Sequence, residues 1–231
     1  MNRLNINKRL DVLDHGFVRL IDYMGSDLSI VRNARVSYDA AERAGDNKGS
    51  DVRLINYLYR NRHNTPFESV TFTFEVKAPI FVLRQWMRHR SQSYNELSAR
   101  YRELPEEFYM PELKQVTEQS DDNKQMRTDV QHPKAGRFRD MMWMRNIDAF
   151  ADYKKMVDEG CPRELARTVL PLATYSHMFC TVNLHNLFGF LRERLHEHAQ
   201  YEIRVYAQAM MDLVGPVVPV AMGAFKSELG E

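Results

Sequence analysis

The sequence predicts an α+β fold: an antiparallel sheet core flanked by helices, in a single domain over residues 1–231, with a long helical C-terminal region. Three observations carry that expectation. Val70, Phe72, Phe74 and Val76 alternate with Thr71, Thr73 and Glu75, the period of a strand with one buried face. Apolar residues recur at helical spacing over 134–158 and again over 183–214. Strands and helices follow one another without a βαβ rhythm, and neither GxGxxG nor GxxxxGK(S/T) occurs.

Taken in order, Gly16 to Tyr23 mixes β-branched and aromatic residues and predicts a strand that Gly25 breaks. Ser26 and Asp27 can cap a helix to about residue 37, with Leu28, Val31 and Val36 facing inward. Residues 39–51 read as an exposed loop. A helix over 51–62 follows, with Leu54, Tyr57 and Leu58 on one face. Pro66 pushes the preceding residue towards extended geometry and so stops that helix. The strand Ser69–Lys77 leads to Pro79, which opens a helix where its missing N–H costs nothing. Ile80, Phe81, Leu83, Trp86 and Met87 anchor this helix in the core.

Residues 103–113 form an extended connector, and 117–133 a polar, flexible loop. The 134–158 helix is expected to bury Phe138, Met141, Met142, Ile147, Phe150 and Met156. Pro162 starts a short helix, and Leu172–Val182 predicts a further strand. Asn183 begins the long helical region, whose apolar face carries Leu187, Phe190, Leu191, Ile203, Tyr206, Met210 and Leu213. A short helix is expected within 215–231.

Composition narrows the function classes. The chain has 231 residues, 44% hydrophobic and 27% charged, ordinary values for a folded domain. A net charge of +1 argues against a general polyanion binder. Cys161 and Cys180 form no CxxC pair, which leaves zinc and thioredoxin-like readings without support and makes a reducing cytoplasm the simplest setting. No apolar run approaches the ~20 residues of a membrane span, and the N-terminus lacks a signal peptide's apolar core. His196 and His198, two apart in an expected helix, point to different sides and fit one metal ion poorly.

One stretch resists explanation by burial. Residues 88–101 hold three arginines, His89 and three serines against the single carboxylate Glu96, with no apolar period. Guanidinium forks grip phosphates and carboxylates through paired hydrogen bonds, and serine, amide and carboxylate groups can read a base or ribose. The helix ahead delivers Arg84, Gln85 and Arg88 to this stretch. Arg84, Arg88, Arg90, Arg100 and Arg102, interleaved with Trp86, Tyr94 and Tyr101, also suit a single-stranded nucleic-acid module.

Arg88-His89-Arg90, seven residues, then Ser98 resembles the signature of the flavin-dependent thymidylate synthases, and the wider match runs over residues 84–101. His63-Asn64-Thr65-Pro66-Phe67-Glu68, the Arg163–Pro171 segment and the run from Asn183 to Ile203 are similar to further family elements, in family order. The resemblance covers roughly residues 13–210, and the segments 40–50 and 117–133 look like insertions.

The resemblance implies reductive methylation of dUMP to dTMP, with 5,10-methylenetetrahydrofolate as methylene donor and FAD and NADPH as reductant. It implies that Arg88, Ser98, Arg100 and Arg167 hold the dUMP phosphate, supported by Gln85, Glu96 and the backbone around Leu97 and Ala99. It gives Arg194 the catalytic role of stabilising the uracil anion as N3 loses its proton. It places FAD on Thr65, Arg88, His89, Arg90, Glu96, Asn183 and His185, and His63 near the folate. A cytoplasmic homotetramer with shared active sites is implied, with small molecules rather than nucleic acid or membrane as partners. The chain departs from the family at Gly189, where members often carry Asn or His. Neither cysteine has a context that marks an activated thiolate, which suits a route without an enzyme nucleophile. A flavin reductase without methyl transfer is the rival within enzymes.

Overall fold

The computed structural model describes residues 4–230. β1 (Arg9–Val12) and β2 (Gly16–Met24) form an antiparallel hairpin. Gly16 is required there: a Cβ would collide with the Tyr206 hydroxyl and stand 2.7 Å from the Val12 carbonyl oxygen. Gly25, at φ +89°, ends β2 in a conformation that side chains disfavour. α1 (Asp27–Arg35) then buries Ile30 and Val31.

The 39–51 segment is tighter than a free loop. Two 3₁₀ turns, Val36–Tyr38 and Ala41–Arg43, are drawn in by buried Asp51. Asp51 pairs with Arg35 at 2.6 Å and accepts a 2.9 Å hydrogen bond from Gly45 N. Asn47 caps α2 (Lys48–Arg60), so that helix begins earlier than the spacing suggests.

β3 (Thr71–Pro79) runs straight into α3 (Ile80–Trp86), as the strand alternation and Pro79 predict. β4 (Gln92–Glu96) follows, then the small hairpin β5 (Thr117–Gln119) and β6 (Arg127–Gln131). The long helix α4 (Ala135–Asp158) and the short α5 (Arg163–Ala166) precede β7 (Tyr175–Asn183). Three helices finish the chain: α6 (Leu184–Leu195), α7 (Tyr201–Val214) and α8 (Pro219–Leu229).

The main sheet has the order β1-β2-β3-β7-β4, every neighbour antiparallel. The α+β expectation therefore holds. β3 and β7 pair along their whole lengths, from Thr71↔Asn183 to Pro79↔Tyr175. Val70, Phe72, Phe74, Val76, Met178, Cys180 and Val182 fill the core, and α7 covers it with Ile203, Tyr206, Met210 and Leu213. A second apolar cluster, Phe108, Met110, Phe150, Tyr153 and Ala166, lies under the C-terminal half of α4.

Several expectations need correction. The polar stretch 92–96, which its lack of an apolar period marks as part of a loop, is instead an edge strand held by backbone pairing to β7. The 117–133 segment is not a free loop but the β5–β6 hairpin, where the Gln119 side chain closes the turn with a 2.6 Å bond to Met126 O. Met141 and Met142, expected to be buried, are 54% and 45% exposed and face a cavity bounded by Val116, Thr117 and Arg127 instead of a packed layer. Leu28, Val36 and Tyr57 are also exposed. His196 is the C-cap of α6, so His196 and His198 sit in a turn rather than a helix, with ring centroids 4.6 Å apart.

Candidate active site

α3 carries the signature into place. Trp86 is fully buried, its ring 4.7 Å from that of Phe190 on α6. Truncating so large a core aromatic costs roughly 3–5 kcal/mol, so the end of α3 is fixed firmly. The chain reverses at Ser91, at φ +65°, into β4. The Tyr94 hydroxyl then reaches back and donates to the His89 carbonyl at 2.9 Å. Arg88, His89 and Arg90 are thereby clamped between a packed helix and an edge strand.

These three residues line a cavity of about 550 Å³. α6 contributes His185, Asn186 and Gly189 to its wall, α2 contributes Tyr59, and Arg62 joins them from just beyond the end of α2. Asn183 positions α6 by accepting a 2.9 Å hydrogen bond from Asn186 N. Gly189 faces open space, since a Cβ there would meet nothing within 4 Å.

α6 also brings Arg194 to the signature. Its Nε donates to His89 Nε2 at 2.8 Å, and its Nη2 to the Gln85 carbonyl at 3.3 Å. Burial, then the Arg194 charge, pushes the His89 pKa down. A neutral imidazole accepting at Nε2 carries its proton on Nδ1. Burial lowers the Arg194 pKa as well, but a guanidinium remains charged at neutral pH. Nη1 of Arg194 has no hydrogen-bond partner among the described residues.

The remaining expected site residues do not line this cavity, and the contacts they make lie at several separate places. Glu96 accepts a 2.6 Å bond from Ser176 Oγ, and Leu97 N donates to His177 O at 2.7 Å. Ser98 Oγ accepts from Arg100 N at 3.3 Å, and Ala99 is buried. Arg100 pairs with Glu164 at 3.2 Å, which links the end of the signature to α5 and so to Arg167, exposed on the turn just after it. Gln85 donates a side-chain hydrogen bond to Gln200. Thr65 and His63 are exposed; the His63 ring stacks on Tyr57 with centroids 5.9 Å apart.

Sequence reasoning missed Tyr59, Arg62, Asn186 and Arg192 in the cavity wall. Asn186 was legible in principle, as the third residue after the α6 cap. Tyr59, Arg62 and Arg192 were not, because what gathers them is Glu228, far away in sequence.

An antiparallel α+β fold whose basic, imidazole-lined cavity lacks any glycine-rich phosphate loop defines a class of enzyme outside the doubly wound nucleotide binders. Residues 19–220 match the family described as thymidylate synthase complementing protein. The chain belongs to that family. It is 46% identical over 223 residues to a flavin-dependent thymidylate synthase of Treponema denticola, covering 96% of this chain and 83% of that protein. It is 45% identical over 224 residues to one of Thermus thermophilus, covering 96% and 80%. Among solved structures, a UMP/dUMP methylase, PolB of Streptomyces cacaoi, bound with 5-Br dUMP, superposes with a TM-score of 0.85 at 36% identity. That match covers 94% of this chain and 97% of the other.

Proposed function

We propose that this chain converts dUMP to dTMP by reductive methylation, taking the methylene group from 5,10-methylenetetrahydrofolate and using FAD reduced by NADPH. The observation that carries the reading is the Arg194–His89 hydrogen bond of 2.8 Å, which joins the α6 arginine to the signature at the cavity. The cavity suits a flavin nucleotide: Arg88, Arg90 and Arg62 supply positive charge, and Gly189 leaves open space on the helix wall. Thr65, Arg88, His89, Arg90, Glu96, Asn183 and His185 would hold the FAD, which when bound supplies hydride.

The chain's own residues then do the rest. Arg88, Ser98, Arg100 and Arg167 grip the phosphate of dUMP, with Gln85, Glu96 and the Leu97 and Ala99 backbone in support. Arg194 offers Nη1 to the uracil as N3 loses its proton, stabilising the anion that makes C5 nucleophilic. His63 stands towards the folate. No cysteine is needed. Cys180 is fully buried and donates to Gln92 Oε1 at 3.0 Å, and burial pushes its thiol up to about 12. At pH 7 only about one in 10⁵ such thiols is ionised.

On one chain, Ser98, Arg100 and Arg167 do not line the cavity that holds Arg88 and His89. That division favours a site completed by another copy, and so a homotetramer with shared active sites, in the cytoplasm, each chain a single domain. The visible spectrum of the purified protein tests the proposal, followed by bleaching with NADPH and assay of dTMP from dUMP and methylenetetrahydrofolate. A nucleic-acid module would not retain added FAD. A plain reductase would bleach and form no dTMP.

A further inference from the structure

α4 has one side held and one side free. Ala135, Asn146, Phe150 and Tyr153 are buried and face the rest of the chain. The opposite side, at spacings of three and four residues, carries Arg137, Met141, Met144 and Asp148, all exposed. The run Met141-Met142-Trp143-Met144 is 45–56% exposed throughout, and Met141 also borders the cavity beside Val116. Apolar side chains scattered singly on a surface need no partner, but four in succession take up a whole helical turn. Methionine, tryptophan and arginine are also residues that protein interfaces favour.

The order of charges along this side indicates what covers it. Arg137 lies as far before the point between Met142 and Trp143 as Asp148 lies after it, and Met141 and Met144 flank that point equally. Turned end over end, a second α4 sets its Asp148 against Arg137 and its Arg137 against Asp148. Each Met141 then meets a Met144. A two-fold contact requires this self-complementarity, and a foreign partner has no need of it. Within one chain Arg137 and Asp148 stand about 16 Å apart along the helix, too far to pair. Arg137 has no side-chain partner among the described residues. Asp148 has only Arg145 at 3.4 Å, and its side chain is 57% exposed.

We propose that α4 docks antiparallel on α4 of a second copy of this chain, about a two-fold axis that passes between Met142 and Trp143. The methionines form the apolar middle, where their flexible thioethers adapt to one another. The Arg137–Asp148 pairs close the two ends and fix the register. A paired length of about 16 Å is short of a standard interface, so the contact extends to neighbours of α4. Leu113, 48% exposed on the 3₁₀ turn Leu113–Gln115 that packs on α4, is one of them. The pairing rests on the reading of the protein as a homotetramer and gives that assembly one of its surfaces. It uses none of the residues assigned to dUMP or FAD.

The test is sedimentation velocity of the full-length protein over a dilution series. Arg137→Glu and Asp148→Lys each set two like-charged pairs across the two-fold axis. Each variant should dissociate at roughly tenfold higher concentration than the parent, about threefold for each pair reversed. An equimolar mixture of the two variants should recover the parent's assembly, because each then meets the opposite charge on the other. Met144→Asp, which puts a charge in the apolar middle, should weaken assembly at least as much and checks the contact independently of the ion pairs. A monomeric parent overturns the proposal. So do folded variants that dissociate as the parent does, or a mixture that dissociates as readily as its components. A parent that assembles and makes dTMP while all three variants assemble unchanged would overturn this pairing alone and leave the proposed reaction standing.

Discussion

Arg194 Nε donates a 2.8 Å hydrogen bond to His89 Nε2, so the α6 arginine rests on an imidazole from the signature. The geometry demands a neutral His89 and leaves Nη1 of Arg194 for a ligand. If Arg194 meets charge that develops on the uracil, Arg194→Ala lowers turnover about 100-fold or more, as loss of an oxyanion donor does. The measurement is single-turnover dTMP formation at saturating dUMP. Turnover near that of the parent would remove Arg194 from the chemistry.

The same contact predicts a pH dependence. His89 has a folded pKa below its ordinary 6.5, from burial first and the Arg194 charge second. The unfolded chain therefore binds a proton that the folded chain resists. This contribution to stability is complete above about pH 6.5 and is lost as pH falls below it towards the folded value. His89→Gln offers an amide oxygen as acceptor and cannot titrate. Its Tm should fall less than the parent's between about pH 7.5 and about pH 5.5, the window on either side of the ordinary histidine value. A parallel fall in both proteins would contradict the shift.

Arg88 tests nucleotide binding apart from catalysis. Arg88→Ala should weaken dUMP by about 1.5–3 kcal/mol, the scale of a hydrogen bond to a charged group. Calorimetric titration with dUMP reads this directly. An unchanged Kd would refute the assignment.

The two cysteines give a sharper test of the chemical class. Cys180 is fully buried in β7, with its thiol pushed up to about 12 by burial. Cys161 lies before Pro162 at the start of α5. A Cys161→Ser, Cys180→Ser protein should keep dTMP synthesis within a few-fold of the parent once its folded fraction is matched. Loss of activity by roughly 10³ or more in a folded double variant would point to an enzyme thiol.

How much of this was legible in the sequence follows from which forces act locally. β3 was readable because Phe72 and Phe74 alternate with threonines over a single buried face, and α3 because Pro79 opens it and Leu83 and Trp86 anchor it in the core. β4 was not, because Gln92 to Glu96 is polar throughout and is a strand only through its backbone bonds to β7. The residues at 88–90 stood out by composition, and the cavity does gather them with His185. Arg194 on His89 is a contact between residues 105 apart in the chain, and no local pattern announces it. The exposure of Met141 and Met142 was misjudged because helical spacing tells which residues share a face, not whether another layer lies opposite.

The cavity wall should also depend on a residue outside it. Glu228 on α8 accepts hydrogen bonds from Arg62 Nη2 at 2.6 Å, Arg192 Nη2 at 3.0 Å and the Tyr59 hydroxyl, and all three donors line the cavity. Burial alone would push the Glu228 carboxyl up, but these donors outweigh it and hold the pKa at about 2. A carboxylate with a depressed folded pKa stabilises the protein fully above its unfolded value of 4.5 and loses that contribution as pH falls towards 2. The side chain is 26% exposed, so solvent screens the network and only part of the shift counts. Glu228→Gln should therefore cost about 1–2 kcal/mol at about pH 7 by urea denaturation, with the gap to the parent narrowing below about pH 4.5. Freed of their common acceptor, Tyr59, Arg62 and Arg192 lose their fixed positions, so FAD should bind several-fold more weakly near neutral pH. A stability gap that stays constant from about pH 7 to about pH 3 would show that the carboxylate charge is not what holds these three side chains together.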